Sequence, residues 1–107
     1  MAHAITKKNY ELEILKAARP VILDVYAPWC GPCQFMKPIF EQLEKEFNAE
    51  IIFTTLNVEE DRELSIELGI SSIPAFLFFN NGVLIAKEVG SMSHEDFVSK
   101  IKKHFHI

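Results

Sequence analysis

Cys30 and Cys33 are the only thiols in this chain of 107 residues, and two residues separate them. Thiols at this spacing can close a small disulfide ring and open it again, which is the chemistry of thiol–disulfide exchange. Such a short ring restricts the unfolded chain only weakly, because the stabilisation gained by closing a loop falls as the loop shortens. The pair therefore indicates electron transfer rather than structural cross-linking.

Metal binding is the main alternative use of the cysteine pair. A structural zinc site usually needs four protein ligands, often completed by a second cysteine pair or two histidines. The chain has no further cysteine, and its histidines lack zinc-finger spacing; they are His3, His94, His104 and His106. We therefore expect no metal and no bound cofactor, with Cys30 and Cys33 as the redox centre. A purely packing role for both cysteines is the other alternative.

The composition fits one globular domain over residues 1–107, since 49% of the residues are hydrophobic and 24% are charged. The net charge is −4 and no segment concentrates Lys or Arg, so nucleic-acid binding is not expected. No apolar run approaches the ~18 residues of a membrane span, and residues 1–20 lack the apolar stretch of a signal peptide. These features favour a monomer in a reducing cytoplasm.

The segment before the cysteines predicts a buried strand, because Val21–Tyr26 is apolar apart from Asp24. The cysteine pair follows at its C-terminal end, where open α/β sheets place their active loops. Apolar residues then recur at helical spacing over 33–47, and we expect Pro38 to kink this helix after its first turn.

Cap and turn signals predict the remaining elements. Thr6 begins a short first helix that Pro20 ends, and Ser93 begins the last helix. Further elements are a strand over 51–58, a helix over 60–68, and two hairpin strands over 75–79 and 83–89 around the Asn-Asn-Gly turn. The acidic residues 59–61 fit a helix N-terminus. Crossovers followed by a hairpin predict an α/β fold with a mixed sheet and helices on both faces.

These motifs, in this order and spacing, resemble the thioredoxin family over essentially the whole chain. The residues that carry the resemblance are the segment 24–33 with Trp29-Cys30-Gly31-Pro32-Cys33, then Pro38, Ile73-Pro74, Asn81-Gly82 and Val89-Gly90. The resemblance implies the thioredoxin fold, a central mixed five-stranded β-sheet flanked by four α-helices. It also implies a thiol–disulfide oxidoreductase that reduces protein substrates and is re-reduced by an NADPH-dependent thioredoxin reductase.

The resemblance assigns different tasks to the two cysteines. Cys30 lies just before a helix, whose N-terminus stabilises a thiolate, so it is expected to attack the substrate disulfide. Cys33 then resolves the mixed disulfide, and we expect it to be more buried and less acidic. Gly31 and Pro32 add no positive charge that would favour the reduced form, which argues against an oxidase or isomerase. A binding subunit that uses this surface without redox chemistry is a third possibility.

Asp24 is the candidate base for this reaction. Burial in an apolar strand should raise the pKa of its carboxyl towards neutrality, which suits a group that takes a proton. In thioredoxins the matching Asp is proposed to take the proton of the second cysteine. The alternative is a core aspartate that is hydrogen-bonded to the backbone.

A flat apolar docking surface is expected around Cys30, on which extended substrate pairs with backbone beside a cis Ile73–Pro74 bond. Without the resemblance, an ordinary trans proline would be the expectation at Pro74. The surface comprises Trp29, Gly31, Pro32, Ile73, Pro74, Val89, Gly90 and Ser91. Burial in the core is the alternative for Ile73 and Val89.

The chain departs from the common family pattern at four positions near the site. Gln34 and Thr55 stand where many thioredoxins have Lys, Pro28 replaces a common acidic residue, and Ala75 replaces a frequent Thr. Losing both lysines should raise the pKa of Asp24 further and weaken the stabilisation of a Cys30 thiolate.

Overall fold

The computed structural model describes residues 2–107. The elements, in chain order, are β1 His3–Ala4, α1 Lys7–Tyr10, β2 Val21–Tyr26, α2 Gly31–Phe47, β3 Ile52–Asn57, α3 Arg62–Glu67, β4 Ala75–Asn80, β5 Val83–Val89 and α4 His94–Phe105. A π-helical segment, Glu11–Leu15, continues α1.

The strands form one sheet in the order β1-β3-β2-β4-β5. β3 runs parallel to β1 and β2, whereas β4 is antiparallel to both β2 and β5. The predicted mixed five-stranded sheet with four helices is confirmed. Since β2 is the central strand, the loop that follows it leaves from the middle of the sheet.

Two apolar cores cover the two faces of the sheet. Ile22 of β2 packs with residues of α2 and α4, while its neighbours Val21 and Leu23 pack on the opposite side with Ile14 and α3. Side chains alternate along a strand, so Asp24 lies on the same face as Ile22, under α2. This alternation places the carboxyl of Asp24 on the face of the sheet that α2 and α4 cover.

Aromatic rings fill the core beneath α2 and α4. The rings of Phe76 and Phe97 meet edge to face with centroids 4.8 Å apart, and Phe40 meets Phe53 at 5.2 Å. Both geometries are favourable for aromatic pairs. The buried rings of this core include Phe53, Phe76, Phe78 and Phe97, whereas Phe47 is only partly buried. Phe79 is buried on the opposite face of the sheet.

The ends of the helices follow their capping residues. The Thr6 hydroxyl accepts from Lys8 N, and the Ser93 hydroxyl accepts from Asp96 N, as the cap signals predicted. α3 is shorter than the predicted 60–68, because the Asp61 side chain caps it by accepting from Leu64 N. α2 begins two residues before the predicted 33, because Cys30 serves as its N-cap.

The β4–β5 hairpin turns at Asn81 and Gly82, which have φ angles of 53° and 77°. Two residues with positive φ are typical of the tight turns that match the twist of a hairpin. A Cβ on Gly82 would also come within 2.5 Å of the Leu15 carbonyl oxygen. The turn thus packs directly against the π-helical segment. No helix within residues 2–107 has the length and apolarity to cross a membrane.

Candidate active site

The redox pair lies where β2 gives way to α2. Cys30 and Cys33 form a disulfide, with their Cα atoms 5.2 Å apart. Cys30 has extended backbone, and its Sγ accepts a hydrogen bond from the backbone N–H of Cys33 at 3.2 Å. A sulfur held at a helix N-cap in this way is stabilised as a thiolate, because both the N–H and the helix dipole favour negative charge. In the described part of the chain, no cluster of three or more His, Cys, Asp or Glu could hold a metal.

Both sulfurs are largely shielded from solvent. Cys30 is 6% exposed and Cys33 is 4% exposed, so the predicted difference in burial between them is very small. They pack with Ala27 and contact the half-buried side chains of Val58 and Ile73. The two sulfurs therefore lie among mostly apolar neighbours.

Asp24 is buried beneath α2. Its Oδ1 is shielded from solvent and takes part in no hydrogen bond within residues 2–107. Burial raises the pKa of this carboxyl from 3.8 to about 7. The alternative of a core aspartate hydrogen-bonded to the backbone is wrong for this oxygen. Thr55, its neighbour across the β2–β3 ladder, brings no charge.

A groove of about 670 Å³ connects this carboxyl with solvent. Asp24, Cys33, Gln34 and Lys37 are among its lining residues, so it passes between α2 and the sheet. The acid and the second cysteine therefore open into one cleft. Such a cleft gives a proton a path between the two groups and bulk water.

The loop before β4 packs beside the redox pair. The Ile73–Pro74 bond is cis, as the resemblance implied. Pro74 is buried, and its carbonyl accepts from Gly90 N at 2.8 Å, which ties this loop to the end of β5. The segments that contain Ile73–Pro74 and Val89–Gly90 therefore lie side by side, joined by this hydrogen bond.

The residues predicted to form the docking surface differ in exposure. Trp29 is 69% exposed and Val89 is 57% exposed, so the core alternative is wrong for Val89. Gly31, Pro32 and Ser91 are exposed, Ile73 and Gly90 are half-buried, and Pro74 is buried. A second groove, of about 660 Å³, lies beside Trp29 and is bounded by Ile66 and Ile70.

Two residues near the pair were not singled out by sequence. The Trp29 indole Nε1 donates to Glu59 Oε2 at 2.8 Å, so this acid orients the tryptophan instead of serving the α3 N-terminus, which Asp61 caps. Phe35 is 60% exposed, and it follows Gly31 and Pro32 by four and three residues on α2, which places it on their helix face. The helical spacing could have placed Phe35 beside Gly31 and Pro32 from the sequence alone. No pattern in the sequence could have predicted the contact between Trp29 and Glu59.

A dithiol–disulfide pair at the N-terminus of a helix, at the C-terminal end of a central strand, defines a thiol–disulfide oxidoreductase. The family model described as Thioredoxin matches residues 1–103. Similar proteins include a thioredoxin of Chlorobaculum thiosulfatiphilum, 35% identical over 92% of both chains, and one of Rickettsia bellii, 37% identical over 84% of this chain and 86% of that protein. A thioredoxin of Haemophilus influenzae is 30% identical over 94% of both chains. This chain belongs to the thioredoxin family.

Proposed function

We propose that this protein reduces disulfides in protein substrates and is itself re-reduced by a thioredoxin reductase. The observation that carries the proposal is the position of Cys30, whose Sγ accepts the Cys33 N–H at the start of α2. A thiolate there is the attacking group that exchange requires. The redox centre is the cysteine pair itself, with no bound cofactor, and we place the protein in the cytoplasm as a monomer.

The proposed reaction moves two electrons in two exchanges. The Cys30 thiolate attacks one sulfur of the substrate disulfide, forms a mixed disulfide and releases the other substrate sulfur as a thiolate. Cys33, once deprotonated, attacks Cys30 Sγ and releases the second substrate thiolate. The substrate disulfide is then reduced to two thiols, and the Cys30–Cys33 disulfide is the oxidised product.

Asp24 is the proposed acceptor of the Cys33 proton. A carboxyl with a pKa of about 7 is ionised in a large fraction of molecules at neutral pH and is still basic enough to take a proton. Both groups line the same groove, so one water molecule between them would complete the path. The proton then passes to solvent along the groove, away from the docking surface.

The proposed docking surface surrounds Cys30 and combines exposed apolar side chains with accessible backbone. Trp29 and Val89 supply apolar area, and the chain around Ile73 and Pro74 supplies backbone groups for an extended substrate segment. Contacts made largely through backbone and apolar area discriminate little between sequences, which suits an electron donor with several protein partners.

The reduction potential of the Cys30–Cys33 pair tests this function. Trp29 is the only tryptophan in the chain and adjoins Cys30, so its fluorescence should report oxidation in glutathione buffers. A potential at or below about −220 to −260 mV supports the reductase, whereas one around −120 to −180 mV indicates an oxidant or isomerase. A protein with no reversible transition would instead be a binding subunit.

A further inference from the structure

The groove beneath α2 has the properties of a ligand site distinct from the docking surface. Its volume of about 670 Å³ lies within the range of about 300–1,000 Å³ that small-molecule pockets occupy. Its wall includes the apolar groups of Ala2 and Phe40 beside polar ones. A small molecule with a short apolar body and one polar head matches this lining.

The Asp24 side chain determines which polar head group of a ligand would fit the groove. The side chain is 7% exposed, lines the groove, and has a buried oxygen with no hydrogen-bond partner in the described residues. Buried carboxylates are normally paired, because an unpaired one forfeits its hydration without compensation. A group that both donates hydrogen bonds and carries positive charge would supply the missing hydrogen-bond partner and compensate the buried negative charge.

The other charges of the groove are compatible with a cationic head. Glu41 and Glu44 line it with Lys37 and Lys45, so the lining carries three acids and two bases when Asp24 is ionised. Both lysines are exposed, which lets their long side chains keep the ammonium groups in water. Tyr26 is the remaining titratable lining residue, and the cysteines are bound as a disulfide.

We propose that this groove binds a small alkylammonium compound, whose protonated amine pairs with the carboxylate of Asp24 while its hydrocarbon chain lies against Ala2 and Phe40. Binding favours the ionised form of Asp24, so the bound ligand would lower the pKa of this carboxyl and make it a weaker proton acceptor. The site is separate from the surface assigned to protein substrates. On the proposed function, in which Asp24 accepts the Cys33 proton, an occupied groove would slow the resolving step.

A titration of the oxidised full-length protein with n-butylammonium, followed by amide chemical shifts, tests the site without any turnover. The neutral 1-butanol and the anionic butyrate serve as matched probes at constant ionic strength. We expect saturable shifts at Asp24, Cys33 and Thr55 with butylammonium, and at least about tenfold weaker binding of the other two. Because Asp24 ionises near pH 7 and alkylamines near pH 10, affinity should rise about tenfold from pH 6 to pH 8.

Three variants separate the specific site from a general effect. Asp24→Asn keeps the shape but removes the charge, so binding should fall at least about tenfold, whereas Asp96→Asn on exposed α4 should leave it unchanged. Thr55→Lys places an ammonium of the chain opposite Asp24 in the β2–β3 register and should compete with the probe. Binding that survives Asp24→Asn, equal binding of butanol, preference for butyrate, or no saturable binding would each overturn the proposal. Since no step depends on reductase activity, a failure of the proposed function would leave this result intact.

Discussion

Asp24 and Thr55 are register partners in the parallel ladder of β2 and β3, on the sheet face that α2 covers. Side chains at such positions are close neighbours. Thr55 carries no charge, so the strand beside the buried acid gives no cation to pair with it. Desolvation by burial raises the pKa of Asp24, and no charge on Thr55 opposes that shift, so both stability and reactivity depend on pH.

Asp24→Asn should stabilise the protein at neutral and alkaline pH. A carboxyl whose pKa is raised on folding disfavours the folded state above its ordinary pKa of 3.8, and the penalty grows until about pH 7, where the folded form ionises. Each pKa unit corresponds to about 1.4 kcal/mol, so the gain in unfolding free energy at pH 8 should approach about 4 kcal/mol. Urea unfolding at pH 8 measures it.

The same two proteins compared at pH 3 or below provide the control for that stability change. Asp24 is protonated there in both the folded and the unfolded chain, so the advantage of Asn should largely disappear. An advantage of equal size at both pH values would show that packing or hydrogen bonding, and not ionisation, distinguishes the two side chains.

Asp24→Asn should also slow the resolving step. Removing a general base commonly costs about 10²–10⁴-fold in rate, and the loss should be largest above pH 7, where the wild-type carboxyl is ionised. Stopped-flow decay of the mixed disulfide between pH 6 and pH 9 measures the step directly. If the wild type and the variant gave parallel pH profiles, Asp24 would have no part in moving the proton.

Cys33→Ser should trap mixed disulfides between Cys30 and substrate proteins, because the attacking thiol is present and the resolving thiol is not. Cys30→Ser is the matched control and should trap little, since its remaining thiol lacks the helix N-cap position. Mass spectrometry of disulfide-linked adducts from a cell extract would distinguish the two. Equal trapping by both variants would contradict the assigned order of attack.

The parts of this molecule that sequence predicted best have local causes. The cysteine pair, the Asn81–Gly82 turn and the Thr6 and Ser93 caps are each determined by residues only a few positions apart. The two-residue strand β1 is too short to show a periodic pattern, and the π-helical segment Glu11–Leu15 replaces an ordinary helix within one amphipathic stretch. Periodicity could not detect either feature.

The parts of the site that sequence missed depend on distant residues. Glu59 meets Trp29 only because the turn between β3 and α3 lies at the same end of the sheet as the redox loop. The groove exists because α2 does not close fully over Asp24 and Thr55. A buried acid could be predicted from its apolar neighbours, but the space beside it depends on how a helix and a sheet pack.

Gly82→Ala should destabilise the protein more than Gly90→Ala, although both glycines have positive φ. Left-handed backbone costs an alanine of order 1 kcal/mol at either position. Only at position 82 does the new Cβ meet backbone, the Leu15 carbonyl oxygen at 2.5 Å, so we expect a total loss of about 3 kcal/mol or more there. Thermal unfolding of the two variants measures the difference, and equal losses would show that the turn moves away from Leu15 without cost.

Glu59→Ala should free the indole of Trp29. The side chain is already 69% exposed, so the hydrogen bond from Nε1 to Glu59 is a principal restraint on its orientation. We expect faster decay of tryptophan fluorescence anisotropy and a stability change of about 1 kcal/mol or less. Glu60→Ala is the matched control. Similar decay in both variants would show that packing alone holds the ring.

β2 takes its two hydrogen-bonded neighbours from segments that come much later in the chain, β3 on one side and β4 on the other. Pairing between such distant segments closes large loops, and the chain entropy lost in doing so precedes the stabilising contacts. A nascent chain that ends before Ile73 therefore holds the cysteines without the Ile73–Pro74 loop beside them and with one edge of β2 unpaired. The complete redox site can therefore form only late in folding, after β4 has paired with β2 and placed the Ile73–Pro74 loop beside the cysteines.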